Sequence, residues 1–268
     1  MLAMAAINDV DLFVEEVGAG EPLVLVHGSW GDHFEWAFVQ PVLADRCRVI
    51  VYDRRGHSAS GPAVGSVADD VADLASLIEK RVSGPAFVYG TSFGGVLALR
   101  LAATRPELVR AVCAHEPPAF GVLPPGKADV LGDLDGVLQL IREGRHEDAA
   151  RTFVEGVVFG PGAWAFLPAE LRDTFTANAP TFLEERADPE CDRVDVEALS
   201  RSGVPVHLTV GTASPTAFGQ VVERIRQVVP QTTTESVSDA GHVPHVTHTD
   251  QFVGSVLNWL ASSGQGPR

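Results

Sequence analysis

A Gly-x-Ser-x-Gly motif at residues 90–94 constrains the fold of this chain more than any other feature. It reads Gly-Thr-Ser-Phe-Gly, with a short apolar run before it and a helix-forming apolar run after it at residues 96–103. This pattern predicts a strand that passes directly into a helix through a very tight turn. Such a turn requires small residues two positions before and after its apex, and Gly90 and Gly94 meet that requirement. We therefore expect Ser92 to stand clear of the sheet edge, at the amino end of the next helix.

Apolar runs typical of buried strands alternate with helical patterns along much of the chain. Residues 23–26 form a continuous apolar run, which is typical of a strand buried on both faces of a parallel sheet. Residues 67–81 carry apolar side chains at helical spacing, and Ser66 is placed to cap that helix. The alternation predicts a doubly wound α/β fold with a parallel sheet. Two short edge strands are predicted within residues 5–17, further strands at 23–26, 48–52, 87–89, 108–114, 204–211 and 232–237, and helices at 34–43, 67–81, 96–103, 215–229 and 250–260.

Residues 118–203 interrupt this alternation with helical stretches and no convincing strand. Helices are expected at about 130–143 and 146–159. An insertion of this length between two strands predicts a helical cap that lies over the strand ends and supplies one wall of a pocket. Its aromatic residues fit either the pocket or the cap's own core. The predicted organisation is a core of residues 1–117 and 204–262, a cap of residues 118–203 and a flexible tail of residues 263–268.

Composition excludes several kinds of partner. The net charge is −15 and the pI is about 4.9, so nucleic acid and anionic membranes are not expected to bind. The chain shows no signal-peptide pattern and no apolar run of membrane-spanning length. Three separated cysteines read as free thiols, and we expect a cytoplasmic protein, either a monomer or a homodimer. No metal-ligand cluster and no Gly-x-Gly-x-x-Gly motif is present, so a small-molecule substrate without a cofactor is expected.

Three motifs in order support a family resemblance over nearly the whole chain. They are His27-Gly28 after the third predicted strand, the motif at 90–94, and Asp239-Ala240-Gly241-His242 after the last strand. The chain resembles the α/β-hydrolase superfamily, in its esterase- and lactonase-like branch with a serine nucleophile. This resemblance implies an eight-stranded, mostly parallel sheet flanked by helices, with an inserted helical cap.

The resemblance also implies site residues. Ser92 is the expected nucleophile, and a serine hydroxyl needs a base within hydrogen-bond reach. His242 is the expected base, with His245 and other histidines as weaker candidates. The backbone N–H groups of Ser29 and Phe93 are the expected oxyanion hole. Trp30 is expected to shape the substrate pocket, although a place in the core fits it equally.

The expected acid is missing from its usual place. The superfamily usually carries an aspartate just after the strand that ends here at Gly211, but residues 211–215 contain no carboxylate. Glu116, at the end of the strand after the motif helix, is the substitute that we predict, because some superfamily members carry their acid at that strand end. Asp239 is a weaker candidate, and a dyad without an acid is the remaining alternative.

The leading hypothesis is therefore a serine hydrolase that cleaves a carboxylic ester, thioester or lactone through an acyl-enzyme on Ser92. Two alternatives stay open at this point. One is non-hydrolytic chemistry on the same fold, such as cyclisation, acyl transfer, a lyase reaction or C–C bond cleavage. The other is a ligand-binding receptor with little turnover.

Overall fold

One mixed sheet forms the centre of the molecule. The computed structural model describes residues 2–62, 65–124 and 133–263. Within them the eight strands lie in the order β1-β2-β4-β3-β5-β6-β7-β8. Strand β2 runs antiparallel to β1 and β4, and every other pair is parallel, which confirms the predicted fold class. The strands are β1 (Leu2–Ile7), β2 (Val10–Gly18), β3 (Glu21–Val26), β4 (Cys47–Tyr52), β5 (Ala86–Thr91), β6 (Val109–His115), β7 (Val206–Gly211) and β8 (Thr232–Val237).

Helices cover both faces of this sheet. Helices α2, α3, α8 and α9 bury apolar side chains against one face, and α1 and α11 against the other. Central strand β5 is buried along its whole length, as its continuous apolar sequence predicts. The helices are α1 (Gln40–Ala44), α2 (Val67–Arg81), α3 (Phe93–Thr104), α4 (Leu134–Arg142), α5 (His146–Phe153), α6 (Ala169–Asn178), α7 (Thr181–Ala187), α8 (Val196–Ser202), α9 (Thr216–Val228), α10 (Pro244–Thr247) and α11 (Thr249–Ser263).

Helix α2 begins and ends where the sequence predicted. Ser66 caps it, since its side chain accepts a hydrogen bond from the Asp69 N–H and the Asp69 carboxylate accepts one from the Ser66 N–H. The single helix predicted at 34–43 is wrong, because that stretch forms a 3₁₀ turn (His33–Trp36) followed by short α1. Pro41 lies at the start of α1, where its missing N–H is tolerated but cannot extend a preceding helix.

The other end of the chain also differs from its prediction. Helix α11 continues to Ser263, so this residue belongs to a helix and not to the predicted tail. The rest of that tail, residues 264–268, lies outside the described residues. No helix in the described part of the chain is both long and apolar enough to span a membrane.

The segment between β6 and β7 contributes helices α4 to α8, and no strand lies in its described part. The first residues of the helix predicted at 130–143 lie outside the described residues, and α4 begins at Leu134. The helix predicted at 146–159 is α5 followed by a π turn (Val154–Val158). Helices α4 to α7 share an apolar core of their own with Trp30 from the loop after β3. We refer to residues 133–203 as the insertion.

Candidate active site

The turn between β5 and α3 presents Ser92 as the motif predicted. Ser92 has φ 50° and ψ −125°, a left-handed backbone conformation that is strained in residues other than glycine. A Cβ atom on Gly90 would overlap the carbonyl oxygen of Gly94, and one on Gly94 would overlap that of Val26. Only glycine fits at these two positions. Ser92 is thereby held half-buried at the amino end of α3, where the helix dipole favours negative charge.

A hydrogen bond holds the ring of His242 to Glu116. The His242 Nδ1 and Glu116 Oε2 atoms are 2.7 Å apart, and the two residues are only 5% and 0% exposed. The Gly211 N–H donates to the other carboxylate oxygen at 2.8 Å. The imidazole also stacks on Phe218, with ring centroids 4.9 Å apart. Nδ1 is therefore committed to Glu116, which makes Nε2 the nitrogen of His242 that is available as a base.

Glu116 reaches the histidine from the end of β6 across the tip of β7. Its backbone N–H donates to the Thr209 carbonyl at 3.0 Å, and its φ of 45° is left-handed. Backbone strain in a residue other than glycine is concentrated at functional sites. A Cβ atom on Gly211, at the tip of β7, would overlap the carbonyl oxygen of Ala240. The β7 tip thus has no room for a side chain at this residue, and Glu116 brings the carboxylate from the neighbouring strand.

Burial and hydrogen bonding act in opposite directions on the Glu116 carboxyl group. Burial alone would raise its pKa, but the hydrogen bond from His242 and the nearby His115 lower the pKa below its usual value. Burial also lowers the pKa of His115 to about 4. At neutral pH Glu116 is therefore a carboxylate and His115 is uncharged. A single negative charge, on Glu116, then faces Nδ1 of His242.

The two expected oxyanion amides lie beside the serine. A Cβ atom on Gly28 would lie 3.1 Å from the Ser92 Cβ, so the loop after β3 passes directly against the motif turn. Ser29 follows in that loop, and Phe93 is the first residue of α3. Neither the Ser29 nor the Phe93 backbone N–H donates to another described residue. Both amides are therefore available to an oxyanion at Ser92.

A buried ionic network joins the oxyanion loop to the insertion. The Ser29 hydroxyl donates to Glu185 of α7, and Arg54 pairs with the same carboxylate at 3.2 Å. Arg54 is 1% exposed and lies over the Phe93 ring, 4.8 Å from its centroid. Burial raises the pKa of Glu185, although Arg54 and Ser29 oppose this effect. Glu185 of α7 thus contacts Ser29 directly and is linked to Phe93 only through Arg54.

Ser92 and His242 line the same small cavity beneath the insertion. The cavity has a volume of about 30 Å³, and Phe153, Phe182 and Phe218 form much of its apolar wall. This volume has room for about one or two water molecules. No hydrogen bond joins Ser92 to His242 in the described part of the chain, and bonds of this kind are often long before a substrate binds. A substrate larger than water therefore requires residues of this wall to move.

Trp30 does not line this cavity, so the prediction that it shapes the substrate pocket needs correction. It is fully buried, and its ring stacks behind Phe153 at 4.8 Å and beside Phe182 at 5.2 Å. These two phenylalanines lie between Trp30 and the cavity. Trp30 therefore packs the insertion onto the loop after β3. Of the other aromatic residues considered for the pocket, Trp164 lies in the insertion core and Phe166 is 89% exposed.

The other candidates for the catalytic base and acid form hydrogen bonds away from Ser92 and His242. His27 accepts a hydrogen bond from the Arg54 N–H, and His57 contacts the Arg54 guanidinium at 3.1 Å. Asp239 is exposed, and its own N–H donates to the Thr212 hydroxyl. Within the described residues it makes no contact with His242.

One group of described side chains has the spacing of a metal site. The ligand atoms of Asp32, His33 and Asp53 lie within 4.8 Å of one another. Asp53 accepts hydrogen bonds from the His33 and Ala59 backbone, and Asp32 accepts them from Phe34 and a serine hydroxyl. These bonds hold the loop after β3 against the loop after β4. The group is therefore explained by loop structure, and we assign no metal to it.

Sequence reasoning missed the link between Arg54 and Glu185. The sequence Asp53-Arg54-Arg55 after β4 fits a turn with structural hydrogen bonds, which describes Asp53 and leaves out the contact of Arg54 with the insertion. Glu185 lies in a helix that contains other acidic residues, and no local pattern distinguishes it. Only the packing of the insertion identifies this pair.

Comparison with known proteins agrees with the observed fold. Residues 23–255 match the sequence family described as the alpha/beta hydrolase family. An uncharacterized hydrolase, YraK, of Bacillus subtilis is 38% identical over 107 residues, which span 37% of this chain and 38% of that protein. A pimeloyl-acyl-carrier-protein methyl ester esterase of Chromobacterium violaceum is 28% identical over 94% of this chain and 98% of its own length.

Solved structures give the same answer for the fold. An alpha/beta hydrolase from Sphaerobacter thermophilus superposes with a TM-score of 0.78 at 25% identity, covering 96% of this chain and 100% of that one. A thermophilic esterase from Thermogutta terrifontis superposes with a TM-score of 0.80 at 21% identity, covering 98% and 99%. The family match spans most of the sequence, and it confirms the resemblance inferred from the three motifs. The chain belongs to the alpha/beta hydrolase family.

Proposed function

We propose that this protein is a serine hydrolase that cleaves a carboxylic ester, thioester or lactone of a small molecule through an acyl-enzyme on Ser92. The observation that carries the proposal is the meeting of two elements at one cavity. Ser92 stands on a strained turn at a helix amino end, and His242 is fixed by Glu116 on the same wall. A nucleophile beside a base that a third group orients is the arrangement that acyl transfer requires.

In the first half of the reaction Ser92 Oγ attacks the acyl carbon, and His242 Nε2 accepts the hydroxyl proton. The Glu116 carboxylate holds Nδ1 and stabilises the positive charge on the imidazole. Negative charge develops on the former carbonyl oxygen, where the Ser29 and Phe93 amides stabilise it. The bond to the leaving group then breaks, and the leaving oxygen or sulfur takes the proton from His242. The acyl group remains on Ser92.

In the second half a water molecule replaces the leaving group. His242 Nε2 accepts a proton from the water, and its oxygen attacks the acyl carbon. The same two amides hold the second oxyanion. Collapse of this intermediate returns the proton to Ser92 Oγ and releases the carboxylic acid. Glu116 keeps the histidine in one orientation throughout both halves.

The relatives support this reaction class. The Chromobacterium violaceum relative that matches nearly the full chain is named as a methyl ester esterase. Ester, thioester and lactone hydrolysis share the same attack on an acyl carbon, so one site geometry serves all three.

A direct test is to trap the intermediate. The protein is mixed with 4-nitrophenyl acetate and quenched in acid within the first turnover, and the intact mass is measured. We expect the mass of one added acetyl group, located on Ser92 by peptide mapping. A fluorophosphonate probe, which reacts with activated serines, is expected to label the same residue.

The matched control is Ser29→Ala, because Ser29 lines the same cavity but its hydroxyl is bonded to Glu185. We expect Ser29→Ala to be labelled at Ser92 and Ser92→Ala to take no label. Acetylation that persists in Ser92→Ala, or turnover that this variant retains, would overturn the acyl-enzyme. A product that contains no oxygen from labelled water would instead favour the non-hydrolytic alternative.

A further inference from the structure

An apolar groove of about 310 Å³ opens beside the loop that carries His242, separate from the small cavity at Ser92. The insertion forms one of its walls, and the 3₁₀ turn after β3 and helix α10 form the other. Its volume lies at the lower end of the range for small-molecule sites. Apolar residues that line it include Phe34, Phe38, Phe159, Leu171, Phe175 and Val246.

Two of these aromatic side chains have most of their surface exposed to solvent. Phe34 is 58% exposed and Phe38 is 64% exposed, on the same rim of the groove. Exposed aromatic side chains beside a concave apolar surface are typical of ligand sites. The groove therefore has the composition of a binding site, and the polar atoms at its base indicate which ligand it fits.

A histidine and a carboxylate lie in the groove without a hydrogen bond between them. His245 Nε2 and Glu35 Oε1 are 3.9 Å apart, which exceeds hydrogen-bond distance. His245 is 1% exposed, and neither its Nδ1 nor Glu35 Oε1 has a hydrogen-bond partner in the described part of the chain. Buried polar atoms without partners are uncommon, and each requires an explanation. Both atoms are closed to solvent, so a hydrogen-bonding group in the groove would reach this pair through His245 Nε2.

The charge of the groove restricts that group. Glu35 and Glu170 line it, and no lysine or arginine is found among the described residues that do so. Burial raises the pKa of Glu35 well above its usual value and lowers that of His245 to about 3. Near neutral pH the histidine carries no charge, and the carboxyl group is shifted towards its neutral form. An uncharged polar group fits such a pair better than a carboxylate or an ammonium group.

We propose that this groove binds an uncharged, apolar part of the substrate that carries one neutral hydrogen-bonding group, such as a hydroxyl, held by Glu35 and His245. As a statement about the substrate, the proposal rests on the proposed hydrolase function. As a statement about binding, it can be tested without turnover. The groove borders the site directly, because Val243 lines it and follows His242 in the chain.

The π turn of the insertion separates the groove from the cavity at Ser92. Val157 of this turn lines the cavity, and Val158 lines the groove. π turns inside helices are frequent at functional sites. Movement of this one turn would therefore join the two spaces, and a substrate chain in the groove would then reach Ser92.

The binding test uses Ser92→Ala protein, so that covalent chemistry plays no part. Isothermal titration calorimetry measures the affinity for 1-octanol, octanoate and octyltrimethylammonium, which share a chain and differ in the charge of the head group. We expect 1-octanol to bind most tightly. Removal of two methylene groups, in 1-hexanol, is expected to weaken binding by on the order of tenfold.

Two further substitutions locate the bound alcohol. Leu171→Trp fills the groove from α6 and is expected to weaken 1-octanol binding by at least about tenfold, since the apolar contacts of the chain are lost. Phe38→Ala removes an exposed wall without touching the core and is expected to weaken it several-fold. Phe166→Ala is the matched control, because Phe166 is exposed but does not line the groove. It is expected to bind as tightly as the parent.

The outcomes separate this proposal from the proposed function. Absence of 1-octanol binding, equal binding by Leu171→Trp, or tighter binding of either charged probe would overturn the groove proposal. In protein with Ser92 intact, Leu171→Trp is expected to lower kcat/KM for 4-nitrophenyl octanoate by a larger factor than kcat/KM for the acetate. If Ser92 takes no label while 1-octanol binding still depends on Leu171, the groove proposal stands and the hydrolase proposal fails.

Discussion

Two histidines lie three residues apart, His242 in the loop after β8 and His245 in α10, and the carboxyl groups that face them differ in their contacts and in their burial. His242 Nδ1 is 2.7 Å from Glu116, whose second oxygen accepts the Gly211 N–H. His245 Nε2 is 3.9 Å from Glu35, and both residues have buried polar atoms without described partners. The first pair is satisfied and fixed, whereas the second is unsatisfied. On this difference we propose that the first pair orients a base and that the second receives a group from outside.

The same contrast appears in the charges of the carboxyl groups. Hydrogen bonds hold the pKa of Glu116 below its usual value despite burial. Burial and the nearby Asp32 raise the pKa of Glu35, and the Gly28 N–H and Arg54 only partly oppose them. A carboxylate suits a residue that faces an imidazolium. A neutral carboxyl group suits one that hydrogen-bonds to an uncharged ligand.

The largest difference is expected from removing each histidine. His242→Ala removes the proposed base, and kcat on 4-nitrophenyl acetate is expected to fall by about 10⁶, as in serine hydrolases that lose this group. His245→Ala removes no group from the proposed proton transfer and is expected to change kcat by less than about tenfold. Steady-state kinetics on both variants test this, with thermal unfolding as the control for folding. Losses of similar size would mean that the two histidines act together.

A smaller difference is expected in stability when each carboxylate becomes a leucine. Glu116→Leu leaves the His242 ring and the Gly211 N–H without partners, and is expected to lower the free energy of unfolding by about 2–4 kcal/mol. Glu35→Leu removes one oxygen that has no described partner, and with it the carboxyl group that accepts a hydrogen bond from the Gly28 N–H. It is therefore expected to cost less than Glu116→Leu, about 1–2 kcal/mol. Urea unfolding measures both. If Glu35→Leu is the more damaging change, Glu35 has a structural role that the contacts do not explain.

The smallest difference concerns acid stability. His245 has a pKa of about 3 in the folded protein, whereas an unfolded histidine has its usual, higher value. The unfolded chain therefore binds the proton first, and the folded state loses stability as the pH falls below about 6.5. Between pH 6.5 and 4.5 this histidine alone is expected to cost on the order of 2–3 kcal/mol.

His245→Phe keeps the ring and removes the titration. The stability of this variant is expected to fall less steeply over the same pH range, because one buried histidine no longer titrates. It is still expected to fall, because burial also lowers the pKa values of His115, His27 and His57, which remain. Urea midpoints measured at several pH values compare the two proteins. Equal slopes would show that His245 is protonated in the folded state, contrary to its burial.

Local signals account for the parts of the fold that the sequence predicted. The spacing of apolar residues and the Ser66 cap both lie within or next to α2, so its limits were predicted correctly. The glycines of the motif turn predicted the position of Ser92, because backbone contacts at Gly90 and Gly94 exclude any larger residue at those two positions. The absence of a carboxylate at residues 211–215 directed attention to Glu116, and the structure brings that residue to His242.

Features that depend on how the insertion packs were not predictable in this way. Glu185 reaches Ser29 from 156 residues away, and Phe153 stacks on Trp30 across a similar separation. Neither contact leaves a pattern in the local sequence. The pairing of Glu35 with His245 likewise joins two distant loops, and His245 was considered only as an alternative to His242. The predicted cytoplasmic location, partners and oligomeric state remain predictions.

The most direct measurement is the rate at which a fluorophosphonate labels Ser92 in the parent, in Glu116→Gln and in Glu35→Gln. Both changes replace a carboxylate by an amide of the same shape, so they compare the two pairs on equal terms. Our account predicts that labelling slows by about 10³–10⁴ in Glu116→Gln, by analogy with the loss of a triad carboxylate, and by less than about tenfold in Glu35→Gln. Unchanged labelling in Glu116→Gln, or an equal loss in both variants, would contradict the assignment of Glu116 as the residue that orients His242.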